Sequence, residues 1–193
     1  MSQHLKKFRD AVPTYRTIIG ALTPEECRRI VELNANCPEH KRSQLYLKSS
    51  ERQVRDSHIY WLRSDTKIEW LYERLHYLVR ELNSNYFEYE LDGKDKTFQL
   101  TRYHVGDYYS WHVDLGAGPT SRRKLSMTIQ LSDPGDYDGS ELQFFFSEQN
   151  IPVAHKEQGS MTVFPSWMTH QVAPTKSGTR WSLVGWFEGP PFR

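Results

Sequence analysis

Three side chains in the second half of the chain have the types and spacing of metal ligands. His112 and Asp114 are separated by one residue, within a segment rich in aromatic residues that predicts a β-strand. Side chains two apart on a strand point to the same face, so we expect an imidazole and a carboxylate side by side. His170 lies much further along the chain and is the best candidate for a third ligand.

Two histidines and one carboxylate leave coordination positions open. This is the facial arrangement of non-haem Fe(II) sites, whereas a structural metal site usually closes its shell with protein ligands. Arg180 follows His170 on a predicted strand, where it alternates with Ser182 and Trp186. That alternation suits a buried face rather than solvent, so the guanidinium is expected to bind an anion as a bidentate fork.

His112, Asp114, His170 and Arg180, in this order, resemble the site of the Fe(II)/2-oxoglutarate-dependent dioxygenases. The nearest resemblance is to the prolyl 4-hydroxylase-like and PKHD-type hydroxylases. It runs from about residue 98 to residue 193, roughly half of the chain. A lone His-x-Asp arises by chance in many chains, whereas the ordered set in a strand context is specific. The segments that carry the resemblance further are residues 125–128, 136–142 and 180–186.

The resemblance implies both cofactors and a reaction. Fe(II) would be bound by His112, Asp114 and His170, with 2-oxoglutarate and O2 in the remaining positions and ascorbate as an optional reductant. Oxidative decarboxylation of 2-oxoglutarate would yield succinate and CO2 and lead to hydroxylation of a substrate C–H bond. Arg180 is expected to hold the 5-carboxylate of 2-oxoglutarate.

Four further residues are assigned to the same pocket. Tyr103 stands close to where related enzymes have a tyrosine that donates to 2-oxoglutarate; the alternative is a core tyrosine. Ser182 would add a hydroxyl donor, and Trp186 would form a pocket wall or simply pack in the core. Gln130 departs from the family pattern, which often has a tyrosine in this strand, and is expected to help bind cosubstrate or substrate.

Two amphipathic helices are predicted in the first half of the chain. Thr23, Pro24 and Glu26 match an N-cap, a first-turn proline and a capping box. A second helix is expected after a cap at Ser64, Asp65 or Thr66 and is expected to end at 83–85. Its apolar stripe consists of Ile68, Leu71, Leu75, Leu78, Val79 and Leu82.

Strands dominate the second half of the chain. The candidates are residues 97–105, 110–114, 125–131, 141–146, 160–164, 171–173 and 179–187, with two more at 15–19 and 52–62. Turn-forming glycine, proline and aspartate separate them. Short strands at regular spacing predict a sandwich or jelly roll. We therefore expect an α+β fold, a double-stranded β-helix (jelly roll) with two supporting N-terminal helices.

We expect one domain over residues 1–193, with helical support over about 1–96 and the catalytic jelly-roll core over about 97–193. The net charge of +1 gives no electrostatic reason to expect nucleic acid or a membrane as a partner. No apolar run could span a bilayer, and the N-terminus lacks a secretory pattern. The two cysteines do not suggest disulfides, and Cys27 is expected to be buried in a helix. A reducing cytoplasm fits these features.

The favoured substrate is a prolyl or similar residue in a protein or peptide. A free amino acid, small metabolite or nucleobase is the alternative within the enzyme class. A non-catalytic, metal-binding jelly-roll module is the alternative from another class. The polar basic stretch 39–56 is loop-like or weakly stranded and could form a lid over a peptide, whereas Arg122, Arg123 and Lys124 fit a solvated turn better than a rim of the site. The oligomeric state is not indicated.

Overall fold

The computed structural model describes residues 14–33, 41–46, 53–63, 67–93 and 97–192, with the backbone alone for residues 41–46 and 53. The helices are α1 (Pro24–Glu32) and α2 (Glu69–Leu82). The strands are β1 (Arg16–Ile18), β2 (Lys41–Tyr46), β3 (Gln53–Arg63), β4 (Thr97–Tyr103), β5 (Tyr108–His112), β6 (Arg123–Gln130), β7 (Tyr137–Gly139), β8 (Leu142–Phe144), β9 (Met161–Pro165), β10 (His170–Val172), β11 (Thr175–Gly178) and β12 (Arg180–Glu188).

Helix α1 begins as its sequence predicts. The Glu26 backbone N–H donates to the Thr23 hydroxyl, and the Thr23 backbone N–H donates to the Glu26 carboxylate, which completes the capping box. Arg74 of α2 also donates to Glu26, at 2.6 Å, and so ties the two helices together. Cys27 is buried as a free thiol, and burial raises its pKa to about 11. Cys37 lies outside the described residues.

Helix α2 begins at Glu69, after the buried Ile68, and ends at Leu82 with Asn83 as its C-cap, within the predicted range. The predicted N-cap residues 64–66 lie outside the described residues. At the other end the chain continues into a π-helical turn, Asn83–Phe87, closed by Glu88 in the left-handed conformation.

Ten strands of the described chain form one curled antiparallel sheet in the order β1-β9-β6-β12-β4-β3-β5-β10-β8, with β2 paired to the other edge of β3. Strand β3 joins the two halves of this sheet. Its residues 58–63 pair with β4, while Arg55 and Asp56 pair with β5. Strands β4 and β5 follow each other in the chain, and both pair with β3 in the antiparallel direction. Residues 104–107 connect β4 to β5.

Two strands were not expected from the sequence. Strands β7 and β11 pair as a separate two-stranded sheet, in segments whose Asp-Gly and Ser-Gly pairs indicated turns. Gly178 ends β11 with φ 71°, and a Cβ there would lie 1.9 Å from the Asp136 carbonyl oxygen. Residues 41–46, placed in a loop-like or weakly stranded stretch, form strand β2. The other strands predicted beyond residue 97 are present within two residues at each end.

The two helices cover one face of the curled sheet. Leu71, Leu75 and Val79 of α2 and Ile30 of α1 are fully buried against sheet residues such as Leu100. Burial of such aliphatic side chains typically stabilises a fold by about 1.5–3 kcal/mol each. The predicted α+β jelly roll with two supporting helices is confirmed. In the described residues, no helix combines the length and the apolar character that a membrane crossing requires.

Tyr72 links α2 to the sheet through two hydrogen bonds. Its buried hydroxyl donates to the Leu62 carbonyl at 2.7 Å and accepts from the Phe98 backbone N–H at 3.0 Å. Tyr72→Phe removes the partner of a buried N–H, so the free energy of unfolding should fall by about 1–3 kcal/mol. Urea denaturation measures this change. The matched control is Tyr77→Phe, because Tyr77 lies on the same helix and is 63% exposed. Equal effects of both variants would contradict the prediction.

Candidate active site

The three predicted metal ligands lie together at the end of the β5–β10 pair. His112 and His170 are directly opposite each other across the two strands. Asp114 Oδ1 lies 3.7 Å from His112 Nε2, and Asp114 Oδ2 lies 3.6 Å from His170 Nε2. All the candidate ligand atoms fall within 4.8 Å of one another, a spacing that one ion can bridge. In the described part of the chain, this is the only such group of three.

Asp114 reaches this cluster by a different route from the one expected. Strand β5 ends at His112, so the prediction from alternating strand faces is wrong for Asp114. The backbone N–H groups of Asp114 and Leu115 both donate to the Ser166 carbonyl oxygen at 2.9 Å. Two main-chain hydrogen bonds to the turn before β10 thus place the carboxylate, in a bend and not on the pleat of a strand.

Both histidines are oriented by main-chain carbonyls. His112 Nδ1 lies 2.8 Å from the Ser110 oxygen, and His170 Nδ1 lies 2.9 Å from the Met168 oxygen. A carbonyl oxygen can only accept, so each Nδ1 carries the proton and donates it. Nε2 of each ring lies on the side of the Asp114 carboxylate, within 3.7 Å of one of its oxygens. Hydrogen bonding of this kind typically fixes the tautomer of metal-binding histidines.

The protonation states also suit metal binding. Burial opposes ionisation of Asp114, but the nearby His170 and His112 and the hydrogen bond from the Ser126 hydroxyl outweigh it and keep the pKa of Asp114 below its usual range. Ser126 in turn lies 3.0 Å from the Ser166 hydroxyl. Burial, reinforced by His170, lowers the pKa of His112 to about 4. At neutral pH the site therefore presents a carboxylate and a neutral His112 imidazole.

Arg180 lies at the inner end of the same cavity and is only 1% exposed. Its Nε donates to Gln130 Oε1 at 2.9 Å, and its guanidinium lies 5.6 Å from the Tyr103 ring centroid. Nη1 and Nη2 are buried without a hydrogen-bond partner in the described protein. A buried guanidinium with two unused nitrogens is unfavourable on its own, and a carboxylate would satisfy both.

Three of the four other predicted pocket residues line the same cavity as Arg180. Tyr103 is its direct neighbour across β4 and β12, and it lines the cavity together with Ser182 and Trp186. Gln130 does not line the cavity but lies behind Arg180 and accepts its Nε–H. The structure thus gives Gln130 a place from which it orients the arginine.

The solvated turn favoured for residues 122–124 is wrong for Arg123 and Lys124, and Arg123 instead follows the alternative of a rim of the site. Arg123 begins β6 and lines the cavity, with its guanidinium 3.9 Å from the Trp186 ring centroid. Lys124 is buried, with its ammonium 3.3 Å from the Phe192 ring centroid. These stacking contacts join residues far apart in the chain, which is why local composition indicated a solvated turn. Arg122 alone pairs at the surface, with Asp92.

Arg55 is a pocket residue that the sequence reasoning missed. It lies on β3, is 7% exposed and lines the cavity. The pattern that could have revealed it is the alternation of Arg55, Ser57, Ile59 and Trp61 on β3. Three of these four residues, all except Ser57, line the cavity. The polar composition around it concealed that alternation. The cavity has a volume of about 240 Å³.

The sequence matches a known family over the part that carries this site. Residues 98–188 match the model of the 2OG-Fe(II) oxygenase superfamily. A PKHD-type hydroxylase of Synechococcus sp. (strain CC9902) is 40% identical over 89 residues, which are 46% of this chain and 40% of that protein. A second, from Synechococcus sp. (strain CC9605), is 33% identical over 100 residues, 52% of this chain and 45% of the relative. The matched part is therefore less than half of these relatives.

Solved structures share the fold over nearly the whole chain. A Pseudomonas putida prolyl-4-hydroxylase superposes with a TM-score of 0.72 at 19% identity and covers 92% of this chain and 93% of its own. A Trichoplax adhaerens prolyl hydroxylase, solved with a peptide fragment of hypoxia inducible factor, gives 0.73 at 19% identity over 91% and 84%.

The superfamily uses Fe(II), 2-oxoglutarate and O2, and the residues present fit that set. The histidine–aspartate cluster offers three ligand groups, and Arg180 offers two unused donors to a carboxylate. Residues 98–188, which carry this site, therefore match the 2OG-Fe(II) oxygenase superfamily, and about half of the chain is similar to PKHD-type hydroxylases.

Proposed function

We propose that the chain is an Fe(II)- and 2-oxoglutarate-dependent dioxygenase that hydroxylates a C–H bond of a prolyl or similar residue in a protein or peptide. Succinate and CO2 are the coproducts. The proposal rests on one observation: a group of metal ligands and a buried arginine, both with unused binding capacity, share one cavity. Three ligand groups leave coordination positions open, and the buried Arg180 has two nitrogens without partners.

In this proposal each site residue has one task. Nε2 of His112, Nε2 of His170 and the Asp114 carboxylate bind Fe(II), which supplies the activation of O2 when it is bound. Arg180 binds the 5-carboxylate of 2-oxoglutarate. These assignments agree with the orientation of both imidazoles and with the ionised state of the carboxylate.

The neighbours of Arg180 orient the cosubstrate. Tyr103 and Ser182 add hydroxyl donors beside Arg180, and Gln130 fixes the plane of its guanidinium through Nε. Trp186 forms the wall toward the mouth of the cavity, next to the 46% exposed Trp61. We further assign all of this to a single domain, because β1 and β3 of the first half lie in the same sheet as the second-half strands.

The substrate assignment rests on the kinds of protein that resemble this one. Two structural neighbours are prolyl hydroxylases, and one of them was solved in complex with a peptide fragment. An open, aromatic mouth at Trp61 and Trp186 suits a side chain presented by a longer molecule. A free amino acid remains the alternative. A lid formed by residues 39–56 lies mostly outside the described residues and stays a prediction, as does the cytoplasmic location.

The metal-free protein should lose stability as the pH falls from about 6.5 to 4. The folded-state pKa of His112 is about 4, below the unfolded value of 6.5, so in this window the unfolded chain takes up a proton that the folded chain does not. At about 1.4 kcal/mol for each pH unit, the expected loss is roughly 3 kcal/mol. Urea titrations in chelator at pH 7 and pH 4.5 measure it.

His112→Gln should show a smaller loss between those two pH values. His155→Gln, which removes an exposed histidine outside the cavity, is the matched control. If the free energy of unfolding of His112→Gln falls with pH as steeply as that of the wild-type protein, the loss of stability does not come from His112.

Arg180→Ala should raise the 2-oxoglutarate concentration needed for half-maximal succinate formation by a factor of about 30 or more. Loss of a buried, charge-assisted pair typically costs about 2–5 kcal/mol, and about 1.4 kcal/mol is tenfold. Quenching of tryptophan fluorescence by 2-oxoglutarate in the Mn(II)-loaded protein gives a second readout, without turnover. The control is Arg102→Ala on β4, because Arg102 stacks on Trp181 and does not line the cavity. An unchanged dependence in Arg180→Ala would assign the carboxylate to another residue.

Proline-containing peptides should gain one oxygen in the presence of Fe(II) and 2-oxoglutarate, and free L-proline should not. Mass spectrometry of a panel of peptides and free amino acids measures this, with Asp114→Ala as the inactive control. Oxidation of free amino acids but of no peptide would replace the peptide assignment with the small-molecule one. A wild-type protein that forms no succinate at all would support the non-catalytic module.

A further inference from the structure

Two buried serines hold the carboxylate of Asp114, and the proposed function gives neither of them a task. Ser126 lies on β6, Ser166 directly follows β9, and both are fully buried. The Ser126 hydroxyl donates to Asp114 Oδ2 at 2.7 Å, and the hydroxyl oxygens of Ser126 and Ser166 lie 3.0 Å apart. We refer to Ser126 and Ser166 as the serine pair.

The chemistry of these groups fixes the direction of both hydrogen bonds. A carboxylate only accepts, so the single proton of the Ser126 hydroxyl is donated to Asp114. The Ser126 oxygen then accepts from the Ser166 hydroxyl. In such a chain each hydrogen bond polarises and strengthens the next. The Ser166 hydroxyl therefore acts on the carboxylate through Ser126.

Ser166 also holds the main chain of Asp114. Its carbonyl oxygen accepts from the N–H groups of Asp114 and Leu115, and its own N–H donates to the Lys124 carbonyl oxygen, each at 2.9 Å. Asp114 lies in a bend beyond the end of β5, so the ladder of the sheet does not position it. The main-chain bonds fix where the residue lies, and the hydrogen bond from Ser126 fixes the rotation of its side chain.

The turn between β9 and β10 thereby positions two of the three metal ligands. It holds Asp114 through Ser166, and it holds the His170 ring through the Met168 carbonyl oxygen, which accepts from His170 Nδ1 at 2.9 Å. The Met168 N–H donates back to the Pro165 carbonyl oxygen at 2.9 Å and closes the turn. The serine pair connects this turn to β6, so one hydrogen-bonded unit sets both ligands.

Strand β6 connects the serine pair to the other end of the cavity. Ser126 and Gln130 are four residues apart on this strand, so their side chains share one face and lie about 13 Å apart along it. Thr128 lies between them on that face and lines the cavity. Gln130 accepts from Nε of Arg180, as Ser126 donates to Asp114. One strand thus holds both the metal-ligating carboxylate and the guanidinium that would bind the cosubstrate.

We propose that Ser126 and Ser166 are positioning residues that orient the Asp114 carboxylate for the metal ion before the ion binds. The inference rests on the proposed dioxygenase function and adds two residues to its metal site. A carboxylate that is already oriented loses less rotational freedom when it binds an ion. Hydrogen-bond partners of metal ligands typically change metal affinity by about 10–100-fold when they are removed.

The test measures the affinity of the full chain for Mn(II), which requires no turnover. Bound metal is first removed with a chelator, and the electron paramagnetic resonance signal of free Mn(II) then gives the dissociation constant. Ser126→Ala should weaken Mn(II) binding by a factor of about 10–100. Ser126→Thr keeps a hydroxyl at this position and should recover most of the affinity.

The matched control is Ser160→Ala. It removes another buried serine hydroxyl, which donates to the Glu157 carbonyl oxygen outside the cavity, and it should leave the Mn(II) affinity unchanged. The absorption spectrum of bound Co(II) reports the coordination of the metal. It should change in Ser126→Ala and stay as in the wild-type protein in Ser160→Ala.

The double variant tests whether the two serines act in series. Ser166→Ala keeps the carbonyl oxygen that holds Asp114, and it should weaken Mn(II) binding less than Ser126→Ala does. In Ser126→Ala/Ser166→Ala the loss should equal that of Ser126→Ala alone, because Ser166 then has no donor through which to act. Independent action would multiply the two losses instead.

The outcomes separate positioning from a merely structural role. A structural role predicts that thermal unfolding of the metal-free protein shifts in Ser126→Ala while its Mn(II) affinity stays at the wild-type value, and that result would overturn the proposal. Losses that multiply in the double variant would overturn it as well. If Ser126→Ala does not fold, an unchanged affinity in Ser166→Ala has the same consequence.

Failure of the proposed function can be told apart from failure of the serine pair. Wild-type protein that binds Mn(II) but forms no succinate with Fe(II) and 2-oxoglutarate contradicts the dioxygenase function alone. Wild-type protein that does not bind Mn(II) contradicts both proposals.

Discussion

The burial of the Arg180 guanidinium is the constraint on which the arrangement of the cavity depends. A charge almost fully removed from water is unfavourable unless its donors are satisfied, and Gln130 satisfies only the Nε. The position of the charge is nevertheless fixed, because β12 is paired along its length with β4 and with β6. The sheet thus holds a preorganised cation whose two remaining nitrogens face the cavity. Ligand binding then recovers stability that the empty cavity lacks.

The curl of the sheet brings the metal ligands to this cation. Arg180 belongs to the half of the sheet that contains β4, β6 and β12, whereas His112 and His170 belong to the β5–β10 half. Strand β3 pairs with both halves and keeps them in register. The helices pack behind the sheet and form the larger apolar core together with side chains from one face of the strands, so polar groups can line the cavity on the other side. A second small core around Phe144 and Phe164 packs directly against His170.

Local sequence signals predicted much of this architecture. The capping box at Thr23 is complete within four residues, and the apolar stripe of α2 repeats at helical spacing, so both helices were expected. In a strand-rich segment, residues of metal-ligating types and a buried arginine have few roles other than ligand binding. His112, His170 and Arg180 were recognisable for this reason. Strands beyond residue 97 were marked by the turn residues between them.

What could not be predicted depends on contacts between distant parts of the chain. Asp114 is placed by the Ser166 carbonyl, Arg123 by the Trp186 ring and Arg55 by the pairing of β3 with β5. None of these partners is close in sequence, so the contacts that place these residues in the cavity could not be inferred from local patterns.

The same charges explain why metal and cosubstrate belong to one cavity. The buried guanidinium of Arg180 disfavours a lone cation in the cavity, although the His112 ring is already neutral and is held by the Ser110 carbonyl. A dianion is favoured by Arg180 and in turn reduces the repulsion between Arg180 and a cation. Binding of either partner therefore improves the site for the other, and such coupling is reciprocal by thermodynamic necessity.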